Sequence, residues 1–400
     1  MSIGSSEIRG PLASFAEGFG PELRRLGYKP GAAANQLKLL ADLSRWMEEE
    51  AVAPDELASE CLAAFVGARR REGRKRFVSL MGMATLLGYL RGIGAIPEVS
   101  RPAPVGLVET ILDRYWRFLV EVRGLLDTVV AQYESGARLF VDFLVGRGVE
   151  LDEVSAADVN AFVSAHCARP VKFAPPEMAT ILRAFLRFLY LNGMSKSPLA
   201  QAVPAVACWS ASTLPKALPP GTPARLLGSC DRRSARGRRD YAILVLLARL
   251  GLRASEIAAL RLDDFDWRAG EVVIHGKGRR DERLPLPTDV GEAVVGYLRR
   301  GRPKSDCRAV FLRTLAPVVG LSSQAVTYVV YAACDRAGIP RASAHRLRHT
   351  LATDLLRAGS PLSEIGQILR HRDLPTTALY AKVDHEALGT LARPWPGAVA

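Results

Sequence analysis

The chain reads as a mainly α-helical protein with one small antiparallel sheet. Three observations predict this. Apolar residues recur at three- and four-residue spacing through most of the 400 residues, the pattern of helices packed by one face. Around 271–286 the period changes to two, as in a strand pair. Two proline-bearing stretches, Glu98–Pro104 and about Pro204–Pro223, deny the backbone helical continuity and divide the chain into three parts.

The bulk numbers agree with several packed domains, since 400 residues exceed what one core usually organises and 48% of them are hydrophobic. Lys and Arg number 54 against 41 Asp and Glu, a net charge of +13, and most of the basic residues are arginine. Such a balance suits a polyanionic partner, because each neutralised phosphate releases condensed counterions and the guanidinium fork grips two phosphate oxygens at once. The six cysteines (Cys61, Cys167, Cys208, Cys230, Cys307, Cys334) form no C-x-x-C pair, so neither a zinc ribbon nor a disulfide framework is expected. Met1–Ser6 leads into polar sequence without a signal-like apolar region, and the purest apolar run, Ala242–Ala248, is too short to span a bilayer. A cytoplasmic protein that makes no use of a membrane is the expectation.

The first two parts read as copies of one helical design. Gly27–Val66 lies over Gly124–Val163 without a gap, at an offset of 97 residues. In that register Trp46 matches Phe143, Val52 matches Val149, Asp55-Glu56 matches Asp152-Glu153, and Ala64-Phe65-Val66 repeats as Ala161-Phe162-Val163. Asp55 and Asp152 stand where a turn or helix cap is expected. Each copy then closes on a similar helix end, Leu87–Arg91 before Gly94 and Leu186–Tyr190 before Gly193.

The third part opens on the basic run Arg232–Arg239, which alone reads as a solvated surface. A buried helix, Tyr241–Leu250, follows and is ended by Gly251. Glu271–His275, the turn Gly276-Lys277-Gly278 and Glu282–Leu286 read as a β-hairpin, and from Ser322 onward the period is helical again. On the helix beginning near Ser343, Leu347, Leu351 and Leu355 form a buried stripe. His345, Arg348 and His349 share another face at i, i+3 and i+4. An H-x-x-x-H pair can hold zinc, but Arg346 and Arg348 flank this one, so a phosphate is the partner that face welcomes and no metal is expected.

Arg253 stands where one helix stops and the next begins, and alone reads as a capping or surface arginine. His371 follows an apolar helix, Leu362–Leu369, and Tyr380 comes nine residues later; alone it is an ordinary half-buried tyrosine. Together, Gly251-Leu-Arg-Ala-Ser-Glu256, Lys277 between glycines, His345-Arg-Leu-Arg-His-Thr350, and Leu369-Arg-His371 followed by Thr376-Thr-Ala-Leu-Tyr380 resemble the tyrosine recombinases, also called the phage-integrase or lambda-integrase-like family. The resemblance covers about Val105 to Val383. It implies the DNA breaking-rejoining enzyme fold, with an extra N-terminal helical domain at 1–97, a SAM-like core-binding domain at 105–203, a catalytic domain at 221–392 and a tail at 393–400.

The resemblance also implies roles. Tyr380 is the nucleophile, Arg253, Arg348 and His371 bind the phosphate in its transition state, His345 handles a proton, and Lys277 is the general acid for the leaving 5′-oxygen. Glu256 and His349 support these groups from behind, while Arg279, Arg280 and Arg370 are candidates for DNA contact. The implied enzyme needs no metal or nucleotide cofactor. It acts on duplex DNA with specific recombination sites as a homo- or hetero-tetramer, exchanging strands through a 3′-phosphotyrosine. The extra N-terminal part points to a mobile element. Resolution of chromosome or plasmid dimers, relaxation by a topoisomerase with the same chemistry, and a non-cleaving DNA-binding partner are the other readings. A metal-dependent transposase using Asp263, Asp264 and Asp266 is the remotest, since neighbouring acids after a helix are usually caps. Two departures stand out: Arg370 occupies a position where the family usually has glycine, and Val129 stands where many relatives have threonine.

Overall fold

The structure, a computed structural model, describes residues 8–98, 101, 103–167, 173–205, 217–276 and 281–370. It is mainly helical with one small sheet, as the apolar period predicts. None of the described helices is long and apolar enough to cross a membrane. The chain divides into two compact units, one made of 101–213 and the other of 1–100 with 214–400.

The N-terminal segment of the larger unit folds as α1 (Ala16–Arg25), α2 (Pro30–Glu49), α3 (Ser59–Arg71) and α4 (Leu80–Gly92) around Phe19, Leu39, Leu43, Met47, Leu86 and Leu90, all buried. The smaller unit repeats that order as α5 (Leu107–Arg117), α6 (Asp127–Val145), α7 (Ala156–Cys167) and α8 (Pro175–Leu191), with its own core around Tyr115, Phe140, Phe185 and Phe188. Helix starts reproduce the offset of the sequence register, with Pro30 against Asp127 and Ser59 against Ala156. The aromatic contacts reproduce it too. Trp46 packs on Phe65 at 5.5 Å and Phe143 packs on Phe162 at 5.4 Å. Turn chemistry differs between the copies. Asp55 lies in the short 3₁₀ turn Pro54–Glu56, whereas Ser155 and Asp158 exchange hydrogen bonds at the start of α7, so Asp152 is left in the preceding turn.

The remaining elements are α9 (Thr222–Gly228), α10 (Ala235–Arg249), α11 (Ala254–Ala259), β1 (Phe265–Asp266), β2 (Glu271–His275), β3 (Asp281–Pro285), α12 (Thr288–Arg300), α13 (Ser323–Ala337), α14 (Ala344–Arg357) and α15 (Leu362–Leu369). Helix α10 begins six residues earlier than its apolar run, because the Ser234 hydroxyl accepts from the Gly237 amide at 3.0 Å and caps it. The arginine run therefore lies largely in the helix, not wholly in solvent. Arg239 is buried, bonded to Asp240 at 2.8 Å and to the Leu312 carbonyl at 3.1 Å, and Arg232 stacks on Tyr241.

The sheet is antiparallel in the order β1-β2-β3, with Val272 opposite Leu284 and His275 opposite Asp281. Val272 and Ile274 point into the core that α10, α12 and α13 share, the inward half of a period-two strand. Where β2 ends and β3 begins, His275 bridges two carboxylates, with Nε2 2.9 Å from Asp264 and Nδ1 2.7 Å from Asp281. Asp264 also accepts from the Arg261 amide at 2.7 Å, Asp263 pairs with Arg308, and Asp266 accepts from the amides of Arg268 and Ala269. These three acids thus serve as caps and ion-pair partners.

The hydrogen bond to Asp264, followed by that to Asp281, raises the pKa of His275. A histidine raised in the folded state stabilises it fully below the ordinary value of about 6.5 and loses that contribution as pH climbs through the raised value. At 39% side-chain exposure the contribution is about 1 kcal/mol or less. Amide exchange across β2 and β3 should therefore show His275→Ala loosening the hairpin more in mildly acidic than in alkaline buffer. A loss independent of pH would assign the effect to packing instead.

Candidate active site

The candidate site is assembled where three chain segments meet: the α10–α11 turn, the first turns of α14, and the end of α15. Helix α10 stops because Gly251 adopts φ +57°, a left-handed turn that glycine takes without steric cost. Arg253 then occupies the N-cap of α11, and Glu256, in the first turn of that helix, folds back on it. One Glu256 oxygen accepts from the Arg253 backbone amide at 2.8 Å and the other from its guanidinium at 2.6 Å. Glu256 is buried while the Arg253 side chain is 40% exposed, so the arginine leans on a fixed carboxylate and faces outward.

Arg348 does not lie on an open helix face as the spacing suggests. It is 1% exposed and is the largest fully buried side chain among the described residues. One terminal nitrogen donates to the Gly251 carbonyl at 2.6 Å and the other to the Leu369 carbonyl. The buried residues of α14 are accordingly Ala344, Leu347, Arg348, Thr350, Ala352 and Thr353. Leu351 and Leu355 are only partly buried and, with Ile365 and Leu369, form the small apolar cluster that fastens α15 to α14. The difference arises because α15 covers this side of the helix, which no single-helix period can register.

His345 and His349 lie one turn apart with ring centroids at 4.4 Å, packed edge to face. Burial lowers the pKa of His345, and the charges of Arg348 and Arg253 lower it further. His349 is pushed down to about 4 by burial, then by His345, Arg348 and Arg346. Both imidazoles are therefore neutral near pH 7, and a neutral ring nitrogen can accept a proton. Arg346 turns away and donates to the Ala217 carbonyl at 3.2 Å.

Arg370, expected at the DNA surface, is placed otherwise. Its side chain is 5% exposed, and a terminal nitrogen donates to Glu256 at 2.8 Å. Its backbone sits at φ +55°, ψ +49°, a left-handed cap of α15 that costs a residue with a Cβ about 1–2 kcal/mol. That conformation is the physical reason glycine suits the position. Burial alone would raise the Glu256 carboxyl, but the Arg370 charge and the bonds from Arg253 outweigh it and hold the group below its usual range.

The structure thus brings together Arg253, Glu256, His345, Arg348, His349 and Arg370. Lys277, Arg279, Arg280, His371 and Tyr380 lie outside the described residues. Sequence reasoning missed the Asp264–His275–Asp281 bridge, whose one available signal was a histidine ending a strand.

Residues 218–387 match the phage integrase family. The chain is 39% identical over 393 residues to the putative integrase/recombinase y4rA of Sinorhizobium fredii, covering 97% of this chain and 95% of that one. It is 30% identical over 304 residues to the tyrosine recombinase XerD of Ralstonia nicotianae, covering 74% of this chain and 96% of that protein. Among solved structures, the XerH site-specific recombinase bound to palindromic difH substrate superposes with a TM-score of 0.58 at 18% identity, over 71% of this chain and 84% of that one. A lambda integrase dimer bound to a COC′ core site does so with a TM-score of 0.53 at 14% identity, over 72% and 98%. A buried arginine flanked by neutral histidines, a second arginine braced on a carboxylate, and a near full-length relative at this identity lead to one conclusion: the chain belongs to the tyrosine recombinase family.

Proposed function

We propose that the chain is a site-specific recombinase that cuts and rejoins duplex DNA through a covalent 3′-phosphotyrosine at Tyr380. The observation that carries this reading is the convergence of Arg253, Arg348 and His345 about one turn, close enough for both guanidinium charges to depress the same imidazole. A phosphodiester resists attack because its oxygens carry negative charge that grows in the pentacoordinate transition state. Cations fixed in advance around that charge stabilise the transition state more than the ground state. In the proposed step the Tyr380 oxygen bonds to phosphorus, its proton passes toward His345, and the P–O5′ bond breaks. Lys277 gives the departing 5′-oxygen its proton, and His371 completes the cage. The phosphotyrosine conserves the bond, so a 5′-hydroxyl from a second strand can reverse the step without metal or nucleotide.

A mobile-element role is favoured over dimer resolution by where the relatives match. The putative integrase/recombinase y4rA aligns with 97% of the chain, whereas the XerD relative aligns with 74%. Assembly as a tetramer on two sites completes the reading, with the domain limits 1–97, 105–203 and 221–392 expected from sequence.

We further assign DNA-backbone contact to the N-terminal module. The exposed side chains of Arg70 and Arg71 in the last turn of α3 and of Arg74, Lys75 and Arg76 in the loop before α4 form a basic cluster. The loop is held in shape from below. Arg69 pairs with Asp42 at 3.0 Å and reaches the Arg76 carbonyl at 3.3 Å, while Arg70 holds the Val78 carbonyl at 2.8 Å. Lys38 joins Arg74, Lys75 and Arg76 around a cavity of about 300 Å³. A braced cluster of cations that spends few of its charges on acids suits phosphates.

Three outcomes are expected. On a nicked suicide duplex carrying the element's own junction, the wild-type chain should form an SDS-resistant adduct and Tyr380→Phe should form none while binding almost as tightly. A persistent adduct in that variant would show a different nucleophile. Because His345 stays neutral below the ordinary histidine value of about 6.5, adduct formation should hold through that pH and fall only in more acidic buffer. An acid limb that His345→Gln leaves unchanged would belong to another group. Replacing Lys38, Arg74, Lys75 and Arg76 together by Ala should flatten the dependence of log affinity on log salt, by about 0.9 for each phosphate the loop no longer neutralises. An unchanged slope would remove DNA as the partner of that loop.

A further inference from the structure

The recombinase chemistry as proposed has no use for Arg370, yet this residue is among the most constrained in the third part. It accepts a left-handed backbone that favours glycine, and it buries a guanidinium to do so. Such an arrangement persists only where the surroundings over-determine it. The partners show what does. Nη2 of Arg370 donates to Glu256 Oε2 at 2.8 Å, the same oxygen that accepts the Arg253 amide, while Oε1 holds the Arg253 guanidinium at 2.6 Å. Nε of Arg370 is buried without a hydrogen-bond partner among the described residues and lies 3.7 Å from Glu282 on β3. Arg370 therefore ties the end of α15 to the start of α11 and to the hairpin.

The charge count gives this tie a consequence. An isolated Arg253–Glu256 pair is neutral, and a phosphate approaching it meets a cation whose charge is already spent on a buried carboxylate. With Arg370 on the other side of that carboxylate, the three groups carry a net charge of +1 beside Arg348, which Glu282, 3.7 Å from Arg370 and 46% exposed to screening water, offsets only in part. The carboxylate is also held at both oxygens and cannot swing to grip the Arg253 fork with both. We propose that Arg370 is a positioning residue for the cleavage reaction: by engaging Glu256 from behind, it leaves Arg253 charged and correctly aimed for the scissile phosphate. This inference rests on the reading that Arg253 binds that phosphate.

The test is single-turnover cleavage of the suicide duplex by the full-length chain, with the rate at saturating protein and the DNA affinity measured separately. Arg370→Gly should fold, because glycine takes the left-handed turn without strain. It should bind DNA with little change and cleave at least about tenfold more slowly. Adding Glu256→Gln to that variant should recover a large part of the rate, since an uncharged side chain cannot neutralise Arg253. Arg370→Lys, which keeps the charge, should cleave faster than Arg370→Gly, and it serves as the measure if the glycine variant fails to fold. Three results overturn the proposal: an unchanged rate in Arg370→Gly; equal loss in the single and double variants; or weakened binding with normal cleavage at saturation, which would make Arg370 a DNA contact. Failure of the wider reading looks different, because the wild-type chain would then form no adduct at all.

Discussion

The third part of the molecule depends on burying one guanidinium. Removing a cation from water is tolerated only when hydrogen bonds replace its hydration, and Arg348 obtains two of these from the carbonyls of Gly251 and Leu369, which are 118 positions apart in sequence. Leu369 is the last residue of α15, so there the cation also meets the negative end of a helix dipole. The same two bonds hold the α10–α11 turn against the end of α15, and the arginines just beyond each carbonyl, Arg253 and Arg370, both reach Glu256. Removing this side chain would therefore disturb the geometry of the site as well as its charge.

Two kinds of histidine environment occur among the described residues of this part, and they have opposite effects. His345 and His349 sit among arginines in partly desolvated positions, which disfavours the imidazolium. His275 sits between two carboxylates, which favours it. The first arrangement keeps two neutral proton acceptors beside Arg253 and Arg348. The second pins the end of β2 to the start of β3. Environment separates their roles, since the side chain is the same in all three.

The helical modules illustrate a different economy of design. The Trp46–Phe65 and Phe143–Phe162 contacts recur at one sequence offset, and an arginine stacks on each pair, Arg69 over Phe65 and Arg147 over Phe143. What differs between the copies is their surface. Arg69 in the first braces a basic loop through Asp42 and the Arg76 carbonyl, whereas Arg147 in the second approaches Asp158 at 3.9 Å. A shared core with a changed surface allows one scaffold to meet different stretches of a partner.

The sequence by itself determined the properties that depend on near neighbours. The helical class, the hairpin at 271–285, the 97-residue register and the grouping of Arg253, His345 and Arg348 were all legible, because period, turn chemistry and motif spacing are local. Tertiary structure alone decided depth and pairing. Arg348 is buried because α15 packs over α14, Arg370 turns inward because Glu256 waits 114 positions away, and His275 finds Asp264 and Asp281 through the register of the sheet. A one-dimensional pattern tells which face a side chain occupies, but whether that face meets water, a carbonyl or a carboxylate is set by segments distant along the chain.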